Sequence, residues 1–176
     1  SVECVELGLD PFKVNLVVAD PTRGGGAITL AATPAIKKLG VPSRGRIFEI
    51  DPSIEYMSAP PRMHLYMEYS CKVYKVFLEF IAKEDIHVYS IDESFLDITS
   101  YLKLYQVNAK DLAKKMLDRI YEKTGLTATV GIGTNLYLAK IAMDISAKHN
   151  TDRMAYLNED LYRQTLWHHT PMTDFW

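Results

Sequence analysis

The sequence predicts an α+β fold, in which a ferredoxin-like sheet with flanking helices follows a smaller first subdomain. From residue 65 onward, apolar residues switch between helical and strand spacing in the order α-β-β-α-β-α-β-α. One further strand before Ser1, which the chain is expected to lack, would complete a β-α-β-β-α-β sheet with extra elements. The residues before 63 are instead rich in glycine and proline, which is typical of turns and connectors.

The first 62 residues predict short elements around a glycine-rich turn. The segment at 24–26 is expected to be a flexible turn that joins two β-branched runs into a hairpin. Thr33 and Pro34 form a helix-start signal, and Gly40 ends that helix. In order, the predicted elements are a helix over 1–7, strands over 15–19 and 27–31, a short helix over 34–39 and a strand over 46–50.

The remaining residues show a more regular pattern. Asn108 and Asn158 each precede a helical pattern and predict N-caps, and Gly125 predicts a helix end. In order, the predicted elements are a helix over 65–81, a hairpin of strands over 86–91 and 95–99, a helix over 108–124, a strand over 127–132, a helix over 135–147, a strand over 153–157 and a helix after Asn158.

Composition and charge limit the possible functions. The chain has 176 residues, of which 48% are apolar and 24% charged, so it can bury a core and is not disordered. Its formal net charge of −2 argues against a basic surface for duplex nucleic acid. Cys4 and Cys71 are too few for a disulfide framework or a zinc site, which is typical of a cytoplasmic protein. No apolar run reaches membrane-spanning length, so no membrane span is expected, and no signal peptide is expected.

Asp92 and Glu93 are adjacent acids at the junction of two predicted strands. In a regular strand they would point to opposite faces, but in a tight turn both carboxylates can reach the same side. Two carboxylates held together can bind Mg²⁺, which takes oxygen ligands and commonly shares them with substrate phosphates. The alternative is an ordinary acidic turn in water, because Asp is a common turn former. Asp97 is expected to be a solvent-facing residue or a cap.

Lys140 is the only charged residue between Leu136 and Met143. Its position in an apolar helix permits a plain structural role, in which the stem packs and the ammonium reaches water. Asn135 precedes this helix and is expected to cap it.

Two segments resemble hallmarks of the Y-family (UmuC/DinB-type) translesion DNA polymerases. Residues 89–99, YSIDESFLDIT, resemble the family's palm motif. Residues 129–144, TVGIGTNLYLAKIAMD, resemble its second motif, in which a lysine lies inside an apolar helix. Residues 1–3 resemble the end of the family's N-terminal block, and residues 171–176 resemble the lead into its thumb. The connector over 59–67 favours the UmuC-like branch of bacteria, which is associated with the SOS response.

The resemblance implies a domain division and a set of roles. Residues 1–62 would form the fingers subdomain and connector, and residues 63–176 the palm. Asp92 would be a metal ligand and Glu93 the acid beside the primer-terminal hydroxyl, with two Mg²⁺ ions. Lys140 would face the triphosphate of the incoming nucleotide. The partners would be primer–template DNA and a dNTP, and a sliding clamp would bind through regions outside this chain, with no membrane association.

The predicted fingers depart from the family pattern. The family has a Tyr and an Arg that clasp the triphosphate, where this chain has Pro34 and Lys37. Pro34 cannot donate a hydrogen bond, and Lys37 supplies charge without a bidentate fork. Lys37 is therefore either a phosphate contact or a solvated helix charge.

Three functions remain open at this point. The first is DNA synthesis past damaged bases, for which these residues alone would be an inactive fragment. The second is a nucleotidyl cyclase, which would hold two metals on a related sheet without needing DNA. The third is a catalytically inert DNA-repair scaffold. A chain without its first, central strand is also expected to self-associate through unpaired strand edges.

Overall fold

The computed structural model describes residues 1–176, and the chain divides into two units, Ser1–Cys71 and Lys72–Trp176. Helix α3 (Met63–Phe77) runs from the first unit into the second. The predicted boundary lies at residues 62 and 63, and the assignment of its two sides as fingers and palm stays a prediction. The two units are described separately below.

A three-stranded sheet forms the centre of the first unit. Strand β1 (Leu16–Val18) pairs antiparallel with β2 (Ala31–Ala32) and parallel with β3 (Met57–Ala59), so β1 is central. All three β1 side chains are buried, as expected of a continuous apolar run covered on both faces.

The two faces of β1 pack against different clusters, because successive strand side chains point to opposite sides. On one face, Leu16 and Val18 pack with Cys4 of helix α1 (Val2–Glu6). On the other face, Val17 packs with Ile36 of helix α2 (Pro34–Lys37). The central strand thus holds both short helices to one small core.

A buried carboxylate holds α1 to the start of α3 within this unit. Glu3 is 4% exposed, and its Oε1 accepts hydrogen bonds from Arg62 Nε at 3.1 Å and from the Tyr66 hydroxyl at 2.6 Å. The hydrogen bond from Arg62 is the main reason that the pKa of Glu3 is lowered, and the bond from Tyr66 adds to it against the opposing effect of burial. Glu3 is therefore a charged, fully partnered group.

Four local predictions in this unit were wrong. The strand expected over 27–31 is present only as β2, which pairs Ala31 and Ala32 with β1. The glycine-rich turn is part of a 3₁₀-helical segment (Pro21–Gly26) that is kinked at Gly24, where φ is 55° and ψ is −147°, and that begins where Asp20 Oδ1 accepts from Thr22 N. The strand expected over 46–50 is a 3₁₀-helix (Ile47–Glu49), because the Glu49 carboxylate turns back to accept from Arg46 N at 2.8 Å. Thr33 precedes α2 as predicted, but its hydroxyl donates to Val14 O and accepts from Leu16 N, so it joins the helix start to β1 rather than capping it.

The second unit contains two separate two-stranded sheets. Strand β4 (Ile86–Val88) pairs antiparallel with β5 (Ser94–Leu96), and β6 (Val130–Gly133) pairs parallel with β7 (Met154–Leu157). No strand of the chain is hydrogen-bonded to both sheets. The α+β class is confirmed, and the predicted order of elements is followed except for one additional helix after β5.

Four helices accompany these strands: α4 (Thr99–Tyr105), α5 (Ala109–Thr124), α6 (Leu136–Ile141) and α7 (Glu159–Thr165). The predicted caps are confirmed, since Asn108 accepts from Asp111 N and Asn158 from Leu161 N. Gly125 ends α5 with a φ of 69°. One cluster under α5 contains Ile81, Leu112 and Met116, and another beside α6 contains Leu138, Ile141, Ala142, Leu157 and Leu166.

Two helices in this unit differ from the prediction. The strand expected to continue to Thr99 ends at Leu96, because the Asp97 carboxylate accepts from Thr99 N and starts α4, which was missed. The helix expected over 135–147 is α-helical only to Ile141. It continues as a π-helical turn (Ala142–Ser146) and a 3₁₀ turn (Ala147–His149). None of the helices is long and apolar enough to cross a membrane.

Candidate active site at the β4–β5 turn

The turn between β4 and β5 presents the two adjacent carboxylates predicted from the sequence. Tyr89 N and Ser90 N both donate to Glu93 O at 3.0 Å, which closes the turn. The Ser90 hydroxyl donates to Asp92 Oδ1 at 2.9 Å. Asp92 is exposed, whereas the Glu93 side chain is 29% exposed. The backbone of the turn thus fixes both acids at the end of the hairpin.

Two glycines in β6 allow α6 to lie directly on the strand. A Cβ added at Gly131 would lie 1.9 Å from Ala139 O, and one at Gly133 would lie 2.3 Å from Ala139 N. The helix therefore contacts the strand through backbone atoms, an approach that any larger side chain would block. Asn135 caps this helix as predicted, with its Oδ1 accepting from Leu138 N at 2.9 Å.

This packing brings Lys140 to the carboxylate turn. Lys140 is 7% exposed, and its Nζ lies 2.8 Å from both Glu93 Oε1 and Glu93 Oε2. The same nitrogen lies 3.1 Å from Asp144 Oδ2. A snorkelling lysine would place its ammonium in water. The Lys140 ammonium is instead held between the carboxylates of Glu93 and Asp144.

Asp144 and Lys148 extend this pair into a chain of alternating charges. Asp144 Oδ1 accepts from Lys148 Nζ at 2.8 Å, while its Oδ2 faces Lys140. Sequence reasoning missed both residues. The signal was present in the i, i+4 spacing of Lys140, Asp144 and Lys148, which places opposite charges side by side along one helix face.

Burial and ion pairing act in opposite directions on the pKa values of this cluster. For Lys140, burial disfavours the charged form, but hydrogen bonds to Glu93 and then Asp144 outweigh it, so the pKa of Lys140 is raised. For Asp144, burial again disfavours the charge, but hydrogen bonds from Lys148 and Lys140 outweigh it, so the pKa of Asp144 is lowered. Both groups are therefore charged at neutral pH.

Aromatic rings cover the other side of the turn. Trp176 Nε1 donates to the Tyr89 hydroxyl at 2.9 Å, and the two ring centroids lie 5.6 Å apart. Lys140 Nζ lies 5.9 Å from the centroid of the Tyr89 ring. The Trp176 ring also contacts Phe95 and Tyr137. Trp176, in the segment that resembles the lead into a thumb, thus packs against the hairpin.

Lys37, the other predicted nucleotide contact, lies in the first unit. It is an exposed residue in the last turn of α2, and Pro34 begins the same helix. Asp97 is exposed, as expected, and lies just before α4, where its carboxylate accepts from Thr99 N while Ile98 holds the N-cap position. Its carboxylate is held by the bonds from Thr99, which lower its pKa.

The residues at the turn suit one particular class of metal ion. No group of three or more His, Cys, Asp or Glu side chains is arranged to hold a metal. The chain instead offers the exposed Asp92 carboxylate, hydrogen-bonded only within the turn, and the adjacent Glu93. Two carboxylates fit Mg²⁺, which takes its remaining ligands from water and substrate phosphates.

Known proteins resemble this chain in sequence. The impB/mucB/samB family model matches residues 2–144. A Bacillus subtilis protein whose name associates it with UV-damage repair, UvrX, is 35% identical over 179 residues, which cover 100% of this chain and 41% of that protein. DNA polymerase IV 2 of Bacillus subtilis is 35% identical over 167 residues, covering 93% of this chain and 40% of that protein.

Solved structures share the fold. The insertion ternary complex of Dbh DNA polymerase has a TM-score of 0.72 at 27% identity, covering 93% of this chain and 46% of that chain. DinB from Sulfolobus solfataricus has a TM-score of 0.71 at 26% identity, covering 93% and 47%.

The chain spans about two fifths of the length of UvrX and of DNA polymerase IV 2, the two curated relatives described above. The matched region contains the carboxylate turn, the glycine-bearing strand β6 and the helix of Lys140. The chain therefore belongs to the impB/mucB/samB family, the Y-family of DNA polymerases that its sequence resembles.

Proposed function

We propose that this chain is the palm-and-fingers part of a DNA-directed DNA polymerase that copies past damaged bases by nucleotidyl transfer. The observation that carries the proposal is the joining of Asp92, Glu93 and the buried Lys140 at one turn, within a chain that belongs to this family. The names of relatives and neighbours, which include DNA polymerase IV and a ternary complex, support the same activity.

In this proposal Asp92 and Glu93 hold Mg²⁺ ions. Bound there, such ions would activate a primer 3′-hydroxyl and stabilise a leaving pyrophosphate. The chain's own contribution is to fix the two carboxylates through Ser90 and the turn backbone, so that they need not reorganise when substrate arrives. Lys140 places a buried positive charge beside them, toward the triphosphate.

The proposed substrates are primer–template DNA and a dNTP. The net charge of −2 implies that most duplex affinity comes from regions beyond these residues, where a sliding clamp would also bind. Lys37 would supply a phosphate contact in the first unit. By itself the 176-residue chain is expected to be inactive, and the unpaired strand edges of its two two-stranded sheets support its self-association. The setting would be the bacterial cytoplasm, in a UmuC-like SOS response.

The test uses primer extension by the polymerase that contains this chain. Asp92→Asn and Glu93→Gln each keep the shape of the side chain and remove a charge facing the metals, so single-turnover incorporation should fall by roughly three orders of magnitude or more. Affinity for primer–template DNA should barely change.

Asp97→Asn is the matched control, because it makes the same change just after β5, at an exposed residue whose carboxylate accepts from Thr99 N at the start of α4. It should retain near-normal incorporation. Incorporation within about tenfold of wild type for both Asp92→Asn and Glu93→Gln would remove these residues from the site.

A further inference from the structure

The charges at the turn form a line rather than a simple pair. The line runs from Glu93 to Lys140, Asp144 and Lys148, with each neighbouring pair of side chains within 3.1 Å. Lys140 is the buried member, and both oxygens of Glu93 are bound to it. The Glu93 carboxylate is therefore already neutralised by a cation that belongs to the chain.

That pairing has a consequence for any divalent cation that uses Glu93. A carboxylate whose two oxygens both accept from an ammonium cannot also serve a second cation at full strength, because the two positive charges repel each other at short range. The ammonium must withdraw when the divalent cation arrives. A second carboxylate is available to pair with the ammonium, because Asp144 Oδ2 already lies 3.1 Å from Lys140 Nζ.

We infer that Lys140 is a built-in counter-cation that competes with divalent metal for Glu93, and that Asp144 is the positioning residue that receives Lys140 when the metal binds. The inference rests on the proposed function, since it concerns the same carboxylate turn. It gives Lys140 a second role, in which it keeps Glu93 and the turn in place before the substrate complex forms. Lys148 completes the arrangement by holding the other oxygen of Asp144.

The test measures Mn²⁺ binding to the purified chain by electron paramagnetic resonance, without DNA, nucleotide or turnover. Lys140→Met removes the competitor and keeps the packing of the stem, so Mn²⁺ should bind about tenfold or more tightly than to wild type. Lys110→Met is the control, because it removes the same charge from an exposed lysine paired with Asp152. It should leave Mn²⁺ affinity unchanged.

Asp144→Asn should have the opposite effect. Without its second partner, Lys140 pairs with Glu93 alone, and Mn²⁺ affinity should fall by about threefold or more. In the Lys140→Met background the same Asp144→Asn change should have no effect, because Asp144 acts through Lys140. A simple loss of negative charge near the metal would weaken binding equally in both backgrounds.

The outcomes separate this inference from the proposed function. Binding that is lost in Asp92→Asn but is no tighter in Lys140→Met would overturn the inference and leave the metal site standing. Equal effects of Asp144→Asn in the two backgrounds would overturn the positioning role. Binding that never depends on Asp92 would overturn both. Thermal melts establish that each variant is folded, and Lys140→Gln replaces Lys140→Met if the latter does not fold.

Discussion

Replacing Gly131 by alanine places a single methyl group where α6 meets β6. The added Cβ would lie 1.9 Å from Ala139 O and 2.4 Å from Met143 N. Both are backbone atoms, so no side-chain rotation can relieve the overlap. The helix would have to move by about 1.5 Å to restore an ordinary contact, which the well-packed interior resists.

The size of the effect follows from that geometry. Overpacking a core by one methyl group costs about 1–3 kcal/mol, and a clash with backbone belongs at the upper end of that range. For a chain of this length, about 3 kcal/mol lowers the melting temperature by roughly 6–12 °C. The displacement also moves the helix that carries Lys140, so the same change in the proposed polymerase that contains this chain should lower nucleotide incorporation as well as stability.

Thermal melting followed by circular dichroism tests the prediction. Gly26→Ala is the control, because an added Cβ there meets nothing within 4 Å, and its melting temperature should stay close to that of wild type. Ala139→Gly should not rescue Gly131→Ala, since the atom in the way is a backbone oxygen. A Gly131→Ala protein that melts within about 2 °C of Gly26→Ala would refute the close-packing argument.

Three further predictions concern charged groups. The pKa of Asp144 is lowered in the folded chain, so the ionised carboxylate should stabilise the fold fully above about pH 4. This stabilisation should be lost as the pH falls through the pKa of Asp144 in the folded chain. Urea melts of wild type and Asp144→Asn should therefore converge in acid. Glu3→Gln should destabilise the chain by about 1.5–3 kcal/mol in urea melts, because it weakens the ion pair with Arg62. Glu55→Gln, at an exposed site, should leave stability unchanged. Equal effects of the two changes would contradict a stabilising role for the Glu3–Arg62 pair. In the polymerase that contains this chain, Lys37→Ala should raise the apparent dissociation constant for dNTP, whereas Lys37→Arg should not. An unchanged constant in both variants would exclude Lys37 from the nucleotide contact.

The elements that were predictable from sequence are those governed by local interactions. Asn108 and Asn158 cap helices through bonds to backbone only three residues away, so sequence spacing suffices to find them. The helix α4 was missed because the hydrogen bond from Thr99 N to the Asp97 carboxylate overrides an apolar run that continues the strand pattern. The π-helical turn has no periodicity that distinguishes it from an α-helix over five residues.

The site divides in a similar way. The adjacency of Asp92 and Glu93 is written in the sequence, and the family motif indicates their role. The pairing of Lys140 with Glu93 could not be read from spacing, because Glu93 lies 47 residues away and the contact depends on the tight approach of α6 to β6. The burial of the Lys140 ammonium likewise depends on how the second unit packs, and the residues next to Lys140 in the sequence do not determine it.

The π-helical turn Ala142–Ser146 gives this helix one residue more than an α-helical turn needs. Deleting a single residue there would return the segment to an α-helical path and leave the residues after it close to their present positions around the axis. The same deletion in a regular α-helix such as α5 would rotate every following side chain by about 100°. A scan of single-residue deletions should therefore be tolerated better through 142–146 than through the middle of α5.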